Sequence, residues 1–326
     1  MKQLILGTRG SKLALTQARS VASSLEKKHN NIRVKLKKIK TTGDKIKDTP
    51  LYNKGGKGLF IKEIEKALID GKIDLAVHSL KDVPGKIGDR FSLTAFPRRE
   101  APEDVLIAKN NCQLQDLPEG AKIGTGSLRR QNQLKKYRPD FEFINIRGNI
   151  DTRIKKLKER DLDGIILAAA GLHRIGREDI ITEYITRDIC IPAVGQGTLG
   201  IEILKKNKEL KKILSILNHK NTELQSLAER TFLKTLNGNC KLPLGGYLNL
   251  IYTETKIRAE MKGFLSDING NKYLVKTINR KMNRDSSYCE LKMKIENLGK
   301  EIAELILKSG GKEIIKKIKE NAIERD

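Results

Sequence analysis

Tryptophan is absent from the 326-residue chain, and tyrosine and phenylalanine number only seven each. With aromatics at 4% there is little from which to build a base-stacking platform for single-stranded nucleic acid. Cysteine is equally sparse. Cys112, Cys190, Cys240 and Cys289 stand far apart with no C-x-x-C spacing, and His29, His78, His173 and His219 are isolated. A zinc site needs clustered soft ligands and a disulfide framework needs dense cysteines, so neither is expected and each cysteine reads as a reduced thiol. No apolar run approaches the roughly 18 residues of a membrane helix. The opening MKQLILGTRGS holds an apolar stretch of three residues, Leu4 to Leu6, too short for a signal peptide, which makes the expected address cytoplasmic.

What the chain has in abundance is positive charge: 65 Lys and Arg against 40 Asp and Glu, a formal +25. One explanation is a nucleic-acid or membrane partner drawn by counterion release. The other is a lysine-solvated surface with some cations gathered round an acidic small molecule. The lysines run along the whole chain, as at Lys27-Lys28, Lys135-Lys136 and Lys316-Lys317, and no nucleic-acid motif accompanies them. The second explanation is preferred, with a small-molecule partner and neither nucleic acid nor membrane.

The first third alternates strand and helix. Leu4 to Leu6 reads as a strand stopping at Gly7, and Ser11 as the cap of a helix carrying Leu13, Gln17, Val21 and Leu25 on one face. Ile32, Val34 and Leu36 have strand period, residues 59–69 helical period, and Ile73 to Val77 forms a strand ending in His78-Ser79. Arg98 to Pro102 looks like a crossing between domains, after which the alternation restarts with strands expected at 105–108, 122–124, 143–146 and 165–168. Helices are expected over 127–137 and 150–159, and Pro192 to Gly197 forms a second crossing. After about residue 220 a helix, three strand-like runs and two terminal helices make a smaller α+β module. Two strand–helix blocks joined by two crossings imply an α/β architecture with a cleft between lobes.

Arginines are the minority cation but share one kind of place. Arg9, Arg129, Arg130, Arg147, Arg153 and Arg174 lie at or just after expected strand ends, beside Gly, Ser or Thr. Carboxyl ends of strands line the crevice of open α/β sheets, and the guanidinium fork binds carboxylates bidentately. Any one of these arginines is as readily a loop cap, but six together point to a polyanionic ligand. Asp82, in His78-Ser79-Leu80-Lys81-Asp82-Val83-Pro84, is either a solvated turn residue or a carboxylate that stabilises cationic intermediates and relays protons. Cys240 sits in the turn-rich Asn-Gly-Asn-Cys-Lys, where exposure and Lys241 favour a nucleophilic thiolate.

Eight blocks occur in one order: GTRGSKLALTQA (7–18), GGKGLFIKEIE (55–65), HSLKDVP (78–84), GTGSLRRQ (124–131), RGNIDTR (147–153), AAAGLHRIG (168–176), PAVGQG (192–197) and GNCKLPLG (238–245). Together they resemble the porphobilinogen deaminase family over nearly the whole chain, more weakly after about residue 248. The resemblance implies an α/β fold of two periplasmic-binding-protein-like lobes facing across a cleft, plus a small C-terminal α+β domain. Residues 1–97 with 198–216 would form the first lobe, 103–191 the second and 220–326 the third domain, with hinges at 98–102 and 192–197. It implies a monomeric, metal-free transferase that deaminates four porphobilinogen units and joins them head to tail on a dipyrromethane cofactor held by Cys240, releasing hydroxymethylbilane for heme biosynthesis. On that resemblance Asp82 is catalytic, and Lys81, Asp82, Ser127, Arg129 and Arg130 bind the cofactor. Arg9, Ser11, Lys57, Ser79, Arg147, Arg153 and Arg174 bind the substrate's carboxylates. The family's usual lysine is replaced by Asn53, with Lys54 beside it.

Overall fold

A computed structural model describes residues 1–42, 61–238 and 242–323. The first sheet is built from β1 (Lys2–Thr8), β2 (Ile32–Lys38), β3 (Leu75–Ser79), β4 (Phe91–Ala95) and β10 (Leu199–Leu204) in the order β2-β1-β3-β10-β4. The second contains β5 (Asp104–Ala108), β6 (Lys122–Gly124), β7 (Glu142–Ile144), β8 (Gly164–Ala168) and β9 (Glu183–Ile185) in the order β7-β6-β8-β5-β9. The two orders are the same pattern. Three parallel strands are followed by an antiparallel one, β10 against β3 and β5 against β8. Both antiparallel strands are fed by a crossing: 98–102 leads from β4 into β5, and 192–197 brings the chain back into β10. Each lobe therefore receives a strand directly from the junction between them.

Amphipathic helices cover the sheets as the periodicity predicts. The first lobe carries α1 (Lys12–Lys28) and α2 (Lys62–Ile69). The second carries α3 (Leu128–Tyr137), α4 (Ile150–Glu159) and α5 (Ala169–Arg174), and α6 (Lys208–Leu214) follows β10. Val21 and Leu25 of α1 pack with Leu4 and Leu6 of β1 and with Leu75 and Val77 of β3. Three elements escaped the sequence reading. β4 is five residues with only its ends buried, β9 is three residues long, and β10 carries Glu202 inside an apolar run. Each lacks the clean alternation that marks a half-buried strand.

The third module packs α7 (Lys220–Thr235), α8 (Tyr288–Ile306) and α9 (Lys312–Ile323) on the antiparallel sheet β11 (Leu244–Tyr252), β12 (Lys256–Ser266) and β13 (Tyr273–Asn283). It is joined to both crossings by one buried ion pair. Arg99 Nη1 and Nη2 donate to Glu229 Oε1 and Oε2 of α7 at 2.6 and 3.2 Å. Arg99 Nε donates to the Gln196 carbonyl at 2.9 Å, and Glu229 accepts from the backbone N–H of Gly195 at 2.7 Å and of Leu248 at 3.1 Å. The crossings also bond directly to each other, Glu100 N to Gly197 O at 3.1 Å. Gly197 is required there: its φ is +84°, and a Cβ would lie 2.2 Å from the Glu100 carbonyl oxygen.

Removing one member of a buried ion pair leaves the other charged and unsolvated, which costs about 3–5 kcal/mol. Arg99→Ala and Glu229→Ala are each expected to lower stability by that amount, and the double variant by much less than their sum. Urea unfolding of the four proteins checks it; additive losses, or single losses under about 1 kcal/mol, contradict the joint.

Candidate active site

A cavity of about 1030 Å³ opens between the two lobes. Among the described residues it is lined by five arginines and five lysines against two aspartates, Asp82 and Asp151. β1 ends at Thr8 and delivers Arg9, Gly10 and Ser11 to the cavity, where Ser11 caps α1 by accepting from Ala14 N at 3.3 Å. β3 ends at Ser79 and turns through Leu80–Asp82, placing Ser79, Lys81 and Asp82 on the same wall. The opposite wall carries Arg147 and the start of α4. Asn149 caps that helix from Thr152 N at 2.8 Å, and Arg153 follows one turn in. Two helix N-termini thus face the cavity, adding oriented N–H groups to the cations.

The cations are crowded. Burial, then the charges of Arg130 and Arg147, pull Arg153 down to about 10, with Asp82 opposing. Burial pulls Lys81 down to about 8, with Arg130 adding to it and Asp82 countering. Burial also lowers Arg174 to about 10 against the pull of Glu100. Like charges held together out of water are relieved by an anionic ligand with several carboxylates.

At the cavity floor a buried carboxylate organises the arginines. Asp104 Oδ1 accepts from Arg130 Nε at 2.9 Å and Nη2 at 2.7 Å, and Oδ2 pairs with Arg129 Nη1 at 2.7 Å. Burial alone would raise the Asp104 carboxyl, but Arg129 and Arg130 outweigh it and hold it well below the ordinary carboxylate range. Gln196 of the second crossing donates to Asp104 Oδ1 at 3.0 Å and accepts from Lys81 Nζ at 3.2 Å, tying the two walls together. Cys190, beside this group, is inert: burial pushes its thiol up to about 12.

Of the residues singled out from sequence, Arg9, Ser11, Ser79, Lys81, Asp82, Arg130, Arg147, Arg153 and Arg174 all line the cavity. Arg129 does not. Its guanidinium turns inward to Asp104, to the Ile191 carbonyl at 2.7 Å and to Cys190 Sγ at 3.3 Å. Ser127 precedes α3 as its capping residue, outside the cavity lining, with its N–H on Thr125 Oγ1 at 3.3 Å. Lys57 and Cys240, with Asn53, Lys54 and Lys241, lie outside the described residues. Sequence reasoning missed Asp104 and Gln196. It also missed Gln17, which is buried in α1 and hydrogen-bonded to Ser79 Oγ at 3.1 Å. Only Gln17 left a signal, as a polar residue on an apolar helix face.

Fold and cavity define a two-lobed α/β protein whose interlobe cleft suits a polycarboxylate. Residues 4–212 match the family model described as porphobilinogen deaminase, dipyromethane cofactor binding domain, and residues 223–308 match the porphobilinogen deaminase C-terminal domain. The porphobilinogen deaminase of Syntrophomonas wolfei is 45% identical over 97% of this chain and 98% of its own length. That of Oceanobacillus iheyensis is 46% identical over 98% and 99%. A periplasmic binding protein of Salmonella typhimurium, described for high arginine specificity, aligns at 18% identity with a TM-score of 0.39 over 68% of this chain and 94% of that one, too loose a likeness to carry weight. The chain belongs to the porphobilinogen deaminase family. Its cofactor is the family's dipyrromethane, and the cavity fits that group and its extensions, since each pyrrole unit brings carboxylates to a cleft rich in cations.

The lowered Lys81 carries a pH signature. In the empty cleft its ammonium is present below about 8 and lost as pH rises through that value, and bound carboxylates carry that loss to higher pH. Cofactor loading of the empty protein on incubation with porphobilinogen is expected to weaken on the alkaline side with an inflection near 8, and Lys81→Gln to lack that limb. An identical alkaline limb in the variant contradicts the assignment.

Proposed function

We propose that the cleft holds the growing pyrrole chain by its carboxylates while Asp82 acts on each incoming ring. The observation that supports this is the Asp82 carboxylate, on the same cavity wall as Ser79 and Lys81 and opposite Arg147 and Arg153. In this reading Cys240 carries dipyrromethane through a thioether, and Lys81, Ser127, Arg129 and Arg130 hold it. Arg9, Ser11, Lys57, Ser79, Arg147, Arg153 and Arg174 take the acetate and propionate groups of the chain. For Arg129 the role is indirect, through Asp104, which fixes Arg130 beside it. When bound, the cofactor supplies the free pyrrole end to which units are joined.

The chemistry asked of the protein is modest. Porphobilinogen must lose ammonia, which breaks a carbon–nitrogen bond and leaves an azafulvenium-like cation. A carbon–carbon bond then forms at a pyrrole α-carbon, and that carbon gives up its proton. A fixed carboxylate stabilises the cationic states more than the neutral substrate, which is the differential that lowers a barrier. In this reading Asp82 also carries a proton between the α-carbon and the departing amine. Arginines on both walls orient the rings without entering the bond changes.

The transferase activity, release of hydroxymethylbilane after four units, a monomeric state, a cytoplasmic setting and the absence of metal and nucleic acid belong to the same reading. So do the division into 1–97 with 198–216, 103–191 and 220–326, and hinges at 98–102 and 192–197 about which the lobes shift as the chain lengthens. Asp82→Asn is expected to cut hydroxymethylbilane formation by about 10²-fold or more while the cofactor stays loaded and thermal stability changes little. Arg153→Leu is expected to act mainly on chain binding, with arrest at an intermediate length. Near-parent turnover by loaded Asp82→Asn sinks the role given to Asp82.

A further inference from the structure

Behind the cleft, between the first sheet and α2, lie buried titratable groups that take no part in lining the cavity. On the β3–β10 ladder His78 stands opposite Gly200, and Glu202 opposite Ala76. These two small residues leave diagonal room, and His78 Nε2 meets Glu202 Oε2 at 2.9 Å with both side chains buried. The other carboxylate oxygen, Glu202 Oε1, is buried with no hydrogen-bond partner among the described residues. From α2, which packs on this face beside Ala76, Glu65 feels the pair: burial first, then the charge of Glu202, push its carboxyl up to about 7, with His78 pulling the other way. From the third module the Arg230 guanidinium faces Glu202 too. Its Nη2 donates to the Pro84 and Gly85 carbonyls at 2.9 and 3.2 Å, just past Asp82.

The strands that the pair joins have special duties. β3 runs directly into Ser79, Lys81 and Asp82, and β10 is the first strand after the second crossing. The turn and the crossing are also bonded directly, Leu80 N to Thr198 O at 2.9 Å. A buried polar pair is a poor way to gain stability, because apolar residues of like volume do as well. Its value here is directional, since a His–Glu contact fixes how the two strands align. We propose that His78 and Glu202 are positioning residues that fix the Ser79–Asp82 turn in the cleft. This rests on the reading of Asp82 given above.

A consequence follows for turnover. The test measures kcat and KM on cofactor-loaded parent, Glu202→Gln, His78→Ala and His78→Gln. Glu202→Gln and His78→Ala are expected to lower kcat roughly tenfold with KM held within about twofold, the signature of a misplaced acting group. His78→Gln, whose amide can still donate to Glu202, is expected to keep kcat closer to the parent. If Glu202→Gln does not fold, the comparison of His78→Ala with His78→Gln decides. Parent-like kcat in His78→Ala, or a loss expressed in KM, overturns the inference. A loaded parent that makes no hydroxymethylbilane would instead overturn the reading of the cleft.

Discussion

Asp104 sits where the first crossing enters the second lobe, buried, with a guanidinium on each oxygen. Without it Arg129 and Arg130 would be two like charges buried side by side at the edge of the cavity, and neither would hold its place. With it, Arg130 is fixed where it can meet a ligand, Arg129 clamps the Ile191 carbonyl ahead of the second crossing, and Gln196 passes the arrangement on to Lys81. The cleft is built on this balance. One deeply buried anion anchors the cationic floor, and the remaining positive charge is left to face the opening.

The same logic extends through the junction. Arg99 and Glu229 tie both crossings to the third module, and Arg230 of the same helix reaches the carbonyls just beyond Asp82. At the other wall, Asn132 of α3 donates to Ser266 Oγ at 2.8 Å and to the Asp267 carbonyl at 2.9 Å, on the hairpin between β12 and β13. The third module is thus held to both lobes by directional polar contacts, beside apolar ones that Ile191 and Val194 make with it.

Much of this was legible in the sequence, for physical reasons. Strand-end arginines beside Gly and Ser advertised the cleft because lobes of this type present strand ends to their ligand, and five of the six line one cavity. The α4 boundaries, Ile150–Glu159, were those expected from the sequence, and the structure adds the capping Asn149. Other features had no one-dimensional signal. Nothing in a strand-end arginine distinguishes Arg130, which faces the cavity, from Arg129, which is turned inward; the choice is made by Asp104, remote in sequence. Glu202 looked like an interruption of an apolar run and is in fact a buried partner of His78, a pairing that only the return of the chain after the second crossing creates. The abundant lysines remain apart from this account. Several form exposed pairs such as Lys155–Glu159 and Lys294–Glu290, which contribute little to stability, and nothing in the structure explains their number.

The account stands or falls on a pyrrole chain anchored at Cys240 and growing in the cationic cleft. The most direct measurement is the intact mass of the denatured protein before and after incubation with porphobilinogen, beside a Cys240→Ser control. The account predicts an excess of two pyrrole units on the parent alone, followed by further single-unit steps on incubation. A parent of bare sequence mass that porphobilinogen never changes, or an equal excess on Cys240→Ser, would contradict it.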